Sequence, residues 1–354
     1  MKIAPIMDAL HQCSTIETKL IHTGQHYDVD MNDRFFRELN IPKPDLDLEV
    51  GSSSHAVQTA NVMLGFEPVL DAEKPDAVLV VGDVNSTIAC ALVAVKKGVQ
   101  VIHVEAGLRS FDRTMPEEIN RILTDQISDV LFTTEQAAAE QLRKENIAAD
   151  KIHFAGNVMI DTLFRQLPRA TDPAEIWVKY QVDKNVFNEF AVLTMHRPSN
   201  VDDAGRLENL LYTLRQISDS IAIIFPVHPR TRAKIEQFGL QSLLDGDGLL
   251  VVPPLGYLDM LGLNAKATMV LTDSGGIQEE TTALGVPCIT LRDNTERPIT
   301  VTEGTNTVVG ADPTRIRDTV SEILSTGGKQ GRVPVMWDGK AAQRIAGELQ
   351  KIYP

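Results

Sequence analysis

Two carboxylates bracket one loop in VIHVEAGLRSFDRTMPEEINR, residues 101–121: Glu105 closes an apolar run, and Glu117 follows Pro116 where a helix should open. Burying a carboxylate is costly unless a partner or a substrate uses it. Glu105 is followed by Ala-Gly rather than by an opposite charge, and Arg121 stands four residues after Glu117, the spacing for an ion pair on one helix face. A third carboxylate, Asp83 in VVGDVNST, also follows an apolar run, where a helix cap or Asx-turn reads equally well. Three carboxylates at successive strand or helix ends can hold a proton whose pKa is raised by like charge, which acid–base chemistry requires.

A second kind of chemistry is written in LTDSGGIQEETTALG, residues 271–285. A strand ends at Thr272, Ser274-Gly275-Gly276 follows, and a helix begins; glycines admit close approach, and free amides at a helix start favour an anion. Glu279 and Glu280 suit the positive end of that helix, and either could accept ribose hydroxyls. A tight strand–helix turn with helix-favouring acids is the plainer alternative. His196 in LTMHRPSN and His228 in FPVHPRT each end a strand before an Arg or Pro-Arg, which fits diphosphate contacts. His103 shares a strand face with Glu105 and reads as a packed core histidine. The dinucleotide GxGxxG, the phosphate-binding GxxxxGK[ST], HExxH and GxSxG are all missing from the sequence, so a nucleoside diphosphate held another way is favoured.

The elements that must position these residues are short apolar runs alternating with helix-length segments. Strands are expected within 18–24, 76–83, 99–105, 129–134 and 151–156, then within 190–196, 221–228, 248–254, 268–273 and 286–291. Continuous Val/Ile-rich runs indicate strands buried on both faces of parallel sheets. Between 85 and 98 a helix is expected, capped by Asn85 or Ser86 and ended by Gly98. Repeated strand–helix units predict an α/β protein of two doubly wound, Rossmann-like domains, 1–167 and 168–338, with a final helix at 339–354 packing back on the first. Ligands bind beyond the carboxyl ends of such strands. The polar strand ends fall in both halves, so the site is expected in an inter-domain cleft.

A chain of 354 residues suits two domains at roughly 150 residues each. Its net charge of −14 argues against a nucleic-acid partner, which needs concentrated positive charge. Cys13, Cys90 and Cys288 lie in apolar surroundings without CxxC spacing and read as small buried residues of a reducing compartment. The opening MKIAPIMDALHQC lacks signal-peptide character and no run reaches membrane-spanning length, so a cytoplasmic protein is expected.

At GDVNST, HVEAGLRS, MPEEINR, LTMHRP, PVHPRTR, LTDSGGIQEE, GVPCITLRDNTERP and VTEGTN, in order along nearly the whole chain, the sequence resembles the non-hydrolysing UDP-N-acetylglucosamine 2-epimerases. The resemblance implies the two-domain architecture of the GT-B glycosyltransferases and reversible interconversion of UDP-GlcNAc and UDP-ManNAc, without NAD or metal. It implies loss of the C2 proton with departure of UDP to a 2-acetamidoglucal, then re-addition with a proton on the opposite face. By matching motifs, Asp83, Glu105 and Glu117 fall at the family's acid–base carboxylates and His196 at its catalytic histidine. Ser274, Gly275 and Gly276 are implied at the phosphates and Glu280 at the ribose; Lys2, Gln25, His26, Arg121 and His228 match positions near the substrate or a second, activating UDP-GlcNAc. A homodimer is implied as well.

Two departures from the family pattern accompany the likeness. Family members open with an apolar strand and a Gly-x-Arg-Pro turn, whereas this sequence opens inside the following helix, so that strand and its arginine are expected to be missing. Asn61 stands where members regulated by UDP-GlcNAc carry an arginine, which leaves allosteric activation open. Four rival readings stay in view: a 2-epimerase of a UDP-2,3-diacetamido uronic acid, a hydrolysing 2-epimerase, a glycosyltransferase of the same fold, and an inert nucleotide-sugar-binding protein.

Overall fold

The computed structural model describes residues 1–24, 36, 38–182 and 188–354. Contacts divide the chain into two units, Met1–Arg165 with Val335–Pro354, and Gln166–Pro334. Each is an α/β unit built on parallel strands.

In the N-terminal unit, β1 (Ile21–His22) pairs with β2 (Leu46–Asp47) in a small sheet. Among the described residues the main sheet runs β3 (Ala77–Val81), β4 (Gln100–Ala106), β5 (Val130–Thr133) and β6 (Ile152–Phe154), every neighbour parallel. β4 is buried from Val101 onward, and its two faces enter different cores. Val101 packs with Val78, Val80, Ala89 and Val93 beneath the helix Asn85–Lys96. Ile102 and Val104 pack with Ile6 of the helix Ile3–His11 and with Ile345 and Leu349 of the helix Ala341–Ile352. That last helix is anchored at its start, where the buried Asp161 carboxylate accepts from the Ala341 and Ala342 amides at 3.0 and 2.7 Å. Trp337, almost fully buried, donates its indole N–H to the Thr134 carbonyl at 3.0 Å.

The C-terminal unit carries β7 (Phe190–Thr194), β8 (Ala222–Pro226), β9 (Leu249–Val252), β10 (Met269–Thr272), β11 (Cys288–Thr290) and β12 (Asn306–Val308). Their order is β12-β11-β10-β7-β8-β9, all parallel. Chain order therefore runs outward in both directions from the β7–β10 pair, which makes that pair the topological switch point of a doubly wound sheet. Leu193 and Leu271 face Leu210 and Ile316 of the helices Ala204–Ile217 and Pro313–Thr326. Val192 and Val270 face Trp177 and Leu263 on the other side.

Three local expectations are corrected. The helix from Asn85 is entered through Val84, with no side-chain cap, because the Asn85 amide instead donates to Gln58 at 2.8 Å and its carbonyl accepts from Asn120 at 3.2 Å. Cys13 is only half-buried, whereas Cys90 and Cys288 are buried; all three are free thiols. The ion pair expected between Glu117 and Arg121 does not form, for reasons set by the loop geometry below. Among the described residues no helix is long and apolar enough to cross a membrane.

Candidate active site

In the N-terminal unit the candidate residues lie at the carboxyl ends of β3 and β4. These strands are in register from Ala77 and Gln100 to Val81 and Val104, so Gly82-Asp83 and Glu105 emerge side by side. At Glu105 the register against β5 slips and the backbone turns left-handed, φ 74°, a conformation that costs roughly 1–3 kcal/mol for a residue with a side chain. The turn directs a carboxylate buried to 4% exposure toward Lys2, whose Nζ lies 2.7 and 2.6 Å from its two oxygens. Gly82 is left-handed as well, φ 73°, and a Cβ there would come within 3.2 Å of the same ammonium. Glycine is thus what lets Lys2 reach Glu105 past the end of β3.

Asp83 is held by the Arg121 guanidinium, whose Nη2 and Nε lie 2.6 and 3.2 Å from Oδ2. Arg121 also reaches Glu118, three residues back on the helix Pro116–Ile127. Glu118 is fully buried and accepts from the Ser110 amide, the Ser110 hydroxyl and the Phe111 amide at 2.9, 3.0 and 2.9 Å. The Ser110–Phe111 turn therefore draws in Glu118 rather than Glu117, and the arginine follows the inner carboxylate. Glu117 is half-buried and makes no hydrogen bond or ion pair with another described residue. The arrangement presents two carboxylates on cations and a third with no partner among the described residues, from three neighbouring elements.

In the C-terminal unit the candidate residues lie at the β7–β10 switch point. Thr194 and Thr272 join the two strand ends through their hydroxyls at 2.7 Å. Asp273, fully buried, accepts from the His196 amide at 2.9 Å, the Arg197 amide at 2.8 Å and the Asn200 side-chain amide at 3.2 Å. Its other oxygen is 2.9 Å from His196 Nδ1. Burial alone would raise the Asp273 pKa, but the His196 ring and the two backbone amides outweigh it and hold the group below the ordinary carboxylate range. Asp273 accepts from His196 Nδ1–H, so in the neutral ring the lone pair falls on Nε2. The His228 ring lies 5.4 Å from the His196 ring and caps the helix Pro229–Gln237, its Nδ1 accepting from the Arg230 amide at 3.2 Å. Burial and the neighbouring His196 lower the His228 pKa, which favours a neutral ring.

Beside these histidines the helix Gly275–Leu284 begins. The Ser274 amide donates to Thr272 Oγ1 at 3.0 Å, while the Gly275 and Gly276 amides, in the first turn, have no carbonyl of their own helix to reach. A Cβ on Gly275 would lie 2.6 Å from Glu296 Oε1. Glu296 is buried against Arg292 at 2.8 Å and near Arg197 at 3.6 Å, and although burial opposes it, Arg297 and Arg292 drive its pKa far down. Arg197 Nε is buried with no acceptor among the described residues. An anion at this helix start would meet amide donors, the helix dipole and arginine together.

The adjacent acids of that helix diverge. Glu279 pairs with Arg297 Nε at 2.7 Å, whereas Glu280 accepts only a neutral donor in this group, the Tyr257 hydroxyl at 3.0 Å. Burial, helped by the Glu279 charge, pushes the Glu280 pKa up to about 7, against the opposing effect of the tyrosine bond.

The structure thus brings together Lys2, Asp83, Glu105, Glu117 and Arg121 in one unit, and His196, His228, Ser274, Gly275, Gly276 and Glu280 in the other. Gln25 and His26 lie outside the described residues. Glu118 and Tyr257 carry no signal in the sequence, whereas Asp273 and Arg197 stand among its polar strand ends without an assigned role. Asp273 had a visible signal, standing at the end of an apolar strand opposite a strand that ends in His-Arg.

A family model described as UDP-N-acetylglucosamine 2-epimerase matches residues 8–350. The chain is 42% identical over 349 residues to the UDP-N-acetylglucosamine 2-epimerase of Methanocaldococcus jannaschii, covering 98% of this chain and 94% of the relative. It is 40% identical over 358 residues to the UDP-2,3-diacetamido-2,3-dideoxy-D-glucuronate 2-epimerase of Pseudomonas aeruginosa, covering 99% and 96%. The crystal structure of the M. jannaschii enzyme in complex with UDP-GlcNAc and UDP superposes with a TM-score of 0.90 at 42% identity, covering 99% of this chain and 96% of that one.

Proposed function

Since the chain belongs to the UDP-N-acetylglucosamine 2-epimerase family, we propose that it interconverts UDP-GlcNAc and UDP-ManNAc by elimination and re-addition of UDP. The observation that carries the mechanism is the unequal state of the carboxylates: Asp83 and Glu105 rest on Arg121 and Lys2, while Glu117 has no partner among the described residues. Inversion at C2 needs one group to take a carbon-bound proton and another to return one from the opposite face. Three carboxylates in different environments can divide those tasks.

The C2 hydrogen is not alpha to a carbonyl, so departure of UDP must supply much of the activation. In the forward direction a carboxylate takes the C2 proton, its bonding electrons form the C1–C2 double bond, and the C1–O bond breaks with its pair on the diphosphate. Stabilising that charge is the largest expected contribution. The Gly275 and Gly276 amides, Ser274, His196 and Arg197 are assigned to it, and Glu280 to the ribose. Re-addition of UDP to C1 with a proton on the other face of C2 gives the epimer. We place the protein in the cytoplasm as a homodimer supplying ManNAc units for surface polysaccharide; with Asn61 in place of the arginine of regulated members, activation by a second UDP-GlcNAc stays open. A UDP-2,3-diacetamido uronic acid is the second reading, favoured by the likeness to the P. aeruginosa enzyme.

Proton NMR of UDP-GlcNAc incubated with the protein in D2O tests the proposal. UDP-ManNAc carrying deuterium at C2 is the expected result. A chain that binds UDP but exchanges no C2 proton in UDP-GlcNAc overturns it, and exchange in the diacetamido uronate alone moves the assignment to the second reading.

A further inference from the structure

His103 reads in sequence as a packed core residue, yet both of its ring nitrogens are engaged. The ring is fully buried in β4, with Nε2 2.8 Å from the Gly82 carbonyl and Nδ1 2.7 Å from Asp125 Oδ1. A carbonyl oxygen only accepts, so Nε2 carries a hydrogen. Asp125 already accepts at its other oxygen from the Gly107 amide at 3.1 Å and pairs there with Arg109 Nη1 at 2.7 Å, which leaves Oδ1 to accept from Nδ1–H. The ring is then a doubly donating cation. Burial opposes that charge, but the bonds to Asp125 and Gly82 and the nearby Glu105 outweigh it and raise the pKa.

The two acceptors are the reason this matters. Gly82 immediately precedes Asp83, and its amide is bonded to the Val104 carbonyl at 3.0 Å. Asp125 holds the amide of Gly107, two residues beyond the left-handed turn at Glu105. One imidazole therefore ties the end of β3 to the helix that pins the end of β4. The charged groups around it are Asp125 from the helix Pro116–Ile127, Arg109 and its partner Glu145, and Glu105 with Lys2.

Resting on the epimerase reading above, we infer that His103 is a positioning residue that sets the separation of the Asp83 and Glu105 carboxylates through its two donated hydrogen bonds. It touches no reacting atom. Its removal relaxes the Gly82 carbonyl and frees Asp125 to follow Arg109, so the strained turn at Glu105 loses its anchor.

The test compares the parent with His103→Phe, His103→Asn and His103→Gln. Asn places a donor near the Nδ1 position and Gln near the Nε2 position, so each keeps one of the two bonds. Since about 1 Å of misplacement can cost about a hundredfold in rate, His103→Phe is expected to lower kcat by about that factor while UDP affinity, read by calorimetry, stays within about twofold. The Asn and Gln variants should recover part of kcat, and crystal structures should show the Asp83–Glu105 separation changed in the Phe variant. Nitrogen-edited NMR of the parent should show both ring N–H protons of His103. Unchanged kcat in an active protein, unmoved carboxylates, or a single ring N–H overturns the inference. Where the Phe variant does not fold, parent-like kcat in both amide variants overturns it equally. A parent that exchanges no C2 proton sinks the epimerase reading, and the structural and NMR measurements still decide the role of His103.

Discussion

Replacing Asp273 by Asn changes one atom in a fully buried group, and the surrounding donors dictate where that atom goes. Oδ2 accepts from the His196 and Arg197 amides and from the Asn200 side chain, so an NH2 placed there would face three donors. The NH2 is therefore better placed at Oδ1, where the His196 amide at 3.1 Å is the one competing donor, and it points at His196 Nδ1, 2.9 Å away. The imidazole can accept that hydrogen only by moving its own proton to Nε2. The side chain stays in place while Nε2 exchanges a lone pair for a hydrogen, and the local negative charge disappears. Charge-assisted hydrogen bonds contribute about 1.5–3 kcal/mol each, so loss of the charge should cost the fold about 2 kcal/mol, a drop in Tm of roughly 4–8 °C for a unit of this size. Turnover should suffer more, by about a hundred- to a thousandfold. The orienting aspartate of serine protease triads sets the ceiling, since its Asn variant loses about 10⁴ in kcat through the wrong tautomer. The assay is kcat and KM for epimerisation, with UDP affinity by calorimetry and the tautomer by nitrogen NMR. A kcat within about threefold of the parent, with the Nε2 hydrogen confirmed, would refute the reasoning by showing that the ring's polarity is irrelevant to the chemistry.

Glu117→Gln should reduce turnover by at least about a hundredfold, a typical general acid–base contribution, with UDP affinity unchanged; near-normal deuterium incorporation at C2 removes Glu117 from the mechanism. Glu280, at about 7 in the fold against an ordinary value near 4.5, binds protons more tightly folded than unfolded, so the C-terminal unit should lose up to about 3 kcal/mol as pH rises from about 4.5 to about 7. Urea melts across that range should show the slope in the parent and a flattened one in Glu280→Gln, which should also bind UDP less tightly. Gly275→Ala brings a methyl within 2.6 Å of Glu296 Oε1, pushing that carboxylate off Arg292; UDP affinity should fall at least about tenfold, and calorimetry showing parent-like binding would count against an anion at this helix start.

The longer strands were legible because parallel strands buried on both faces leave uninterrupted apolar runs, as β8 does with every residue buried. Leu46–Asp47 and Asn306–Val308 escaped because Asp47, and Asn306 with Thr307, break the apolar pattern, whereas the equally short Cys288–Thr290 sits inside the apolar run 286–291. Strand-end polar residues were readable as a set, since chain direction alone places them at one end of a parallel sheet. Which of two adjacent acids turns inward was not. Glu117 and Glu118 differ only in which faces the Ser110–Phe111 turn, and that turn belongs to a loop without periodicity. Asn85 carries the same lesson. Its sequence position suits a cap, but the helix His55–Glu73 brings Gln58 within reach, a contact no local pattern encodes.

The N-terminal unit is assembled from two distant stretches of chain, and this has a consequence for synthesis. All of Gln166–Pro334 leaves the ribosome before Val335–Pro354 does, so the later unit has its full sequence while the earlier one still waits for a wall of its core. Until the helix Ala341–Ile352 arrives, Ile6, Ile102 and Val104 lack Ile345 and Leu349, and the Thr134 carbonyl lacks the Trp337 indole. The nascent protein should therefore spend its longest vulnerable interval with an exposed apolar face on the half that carries the carboxylates. A stop codon only twenty residues early would strand the chain there, able to fold its C-terminal unit and a ready client for chaperones or proteases through the other.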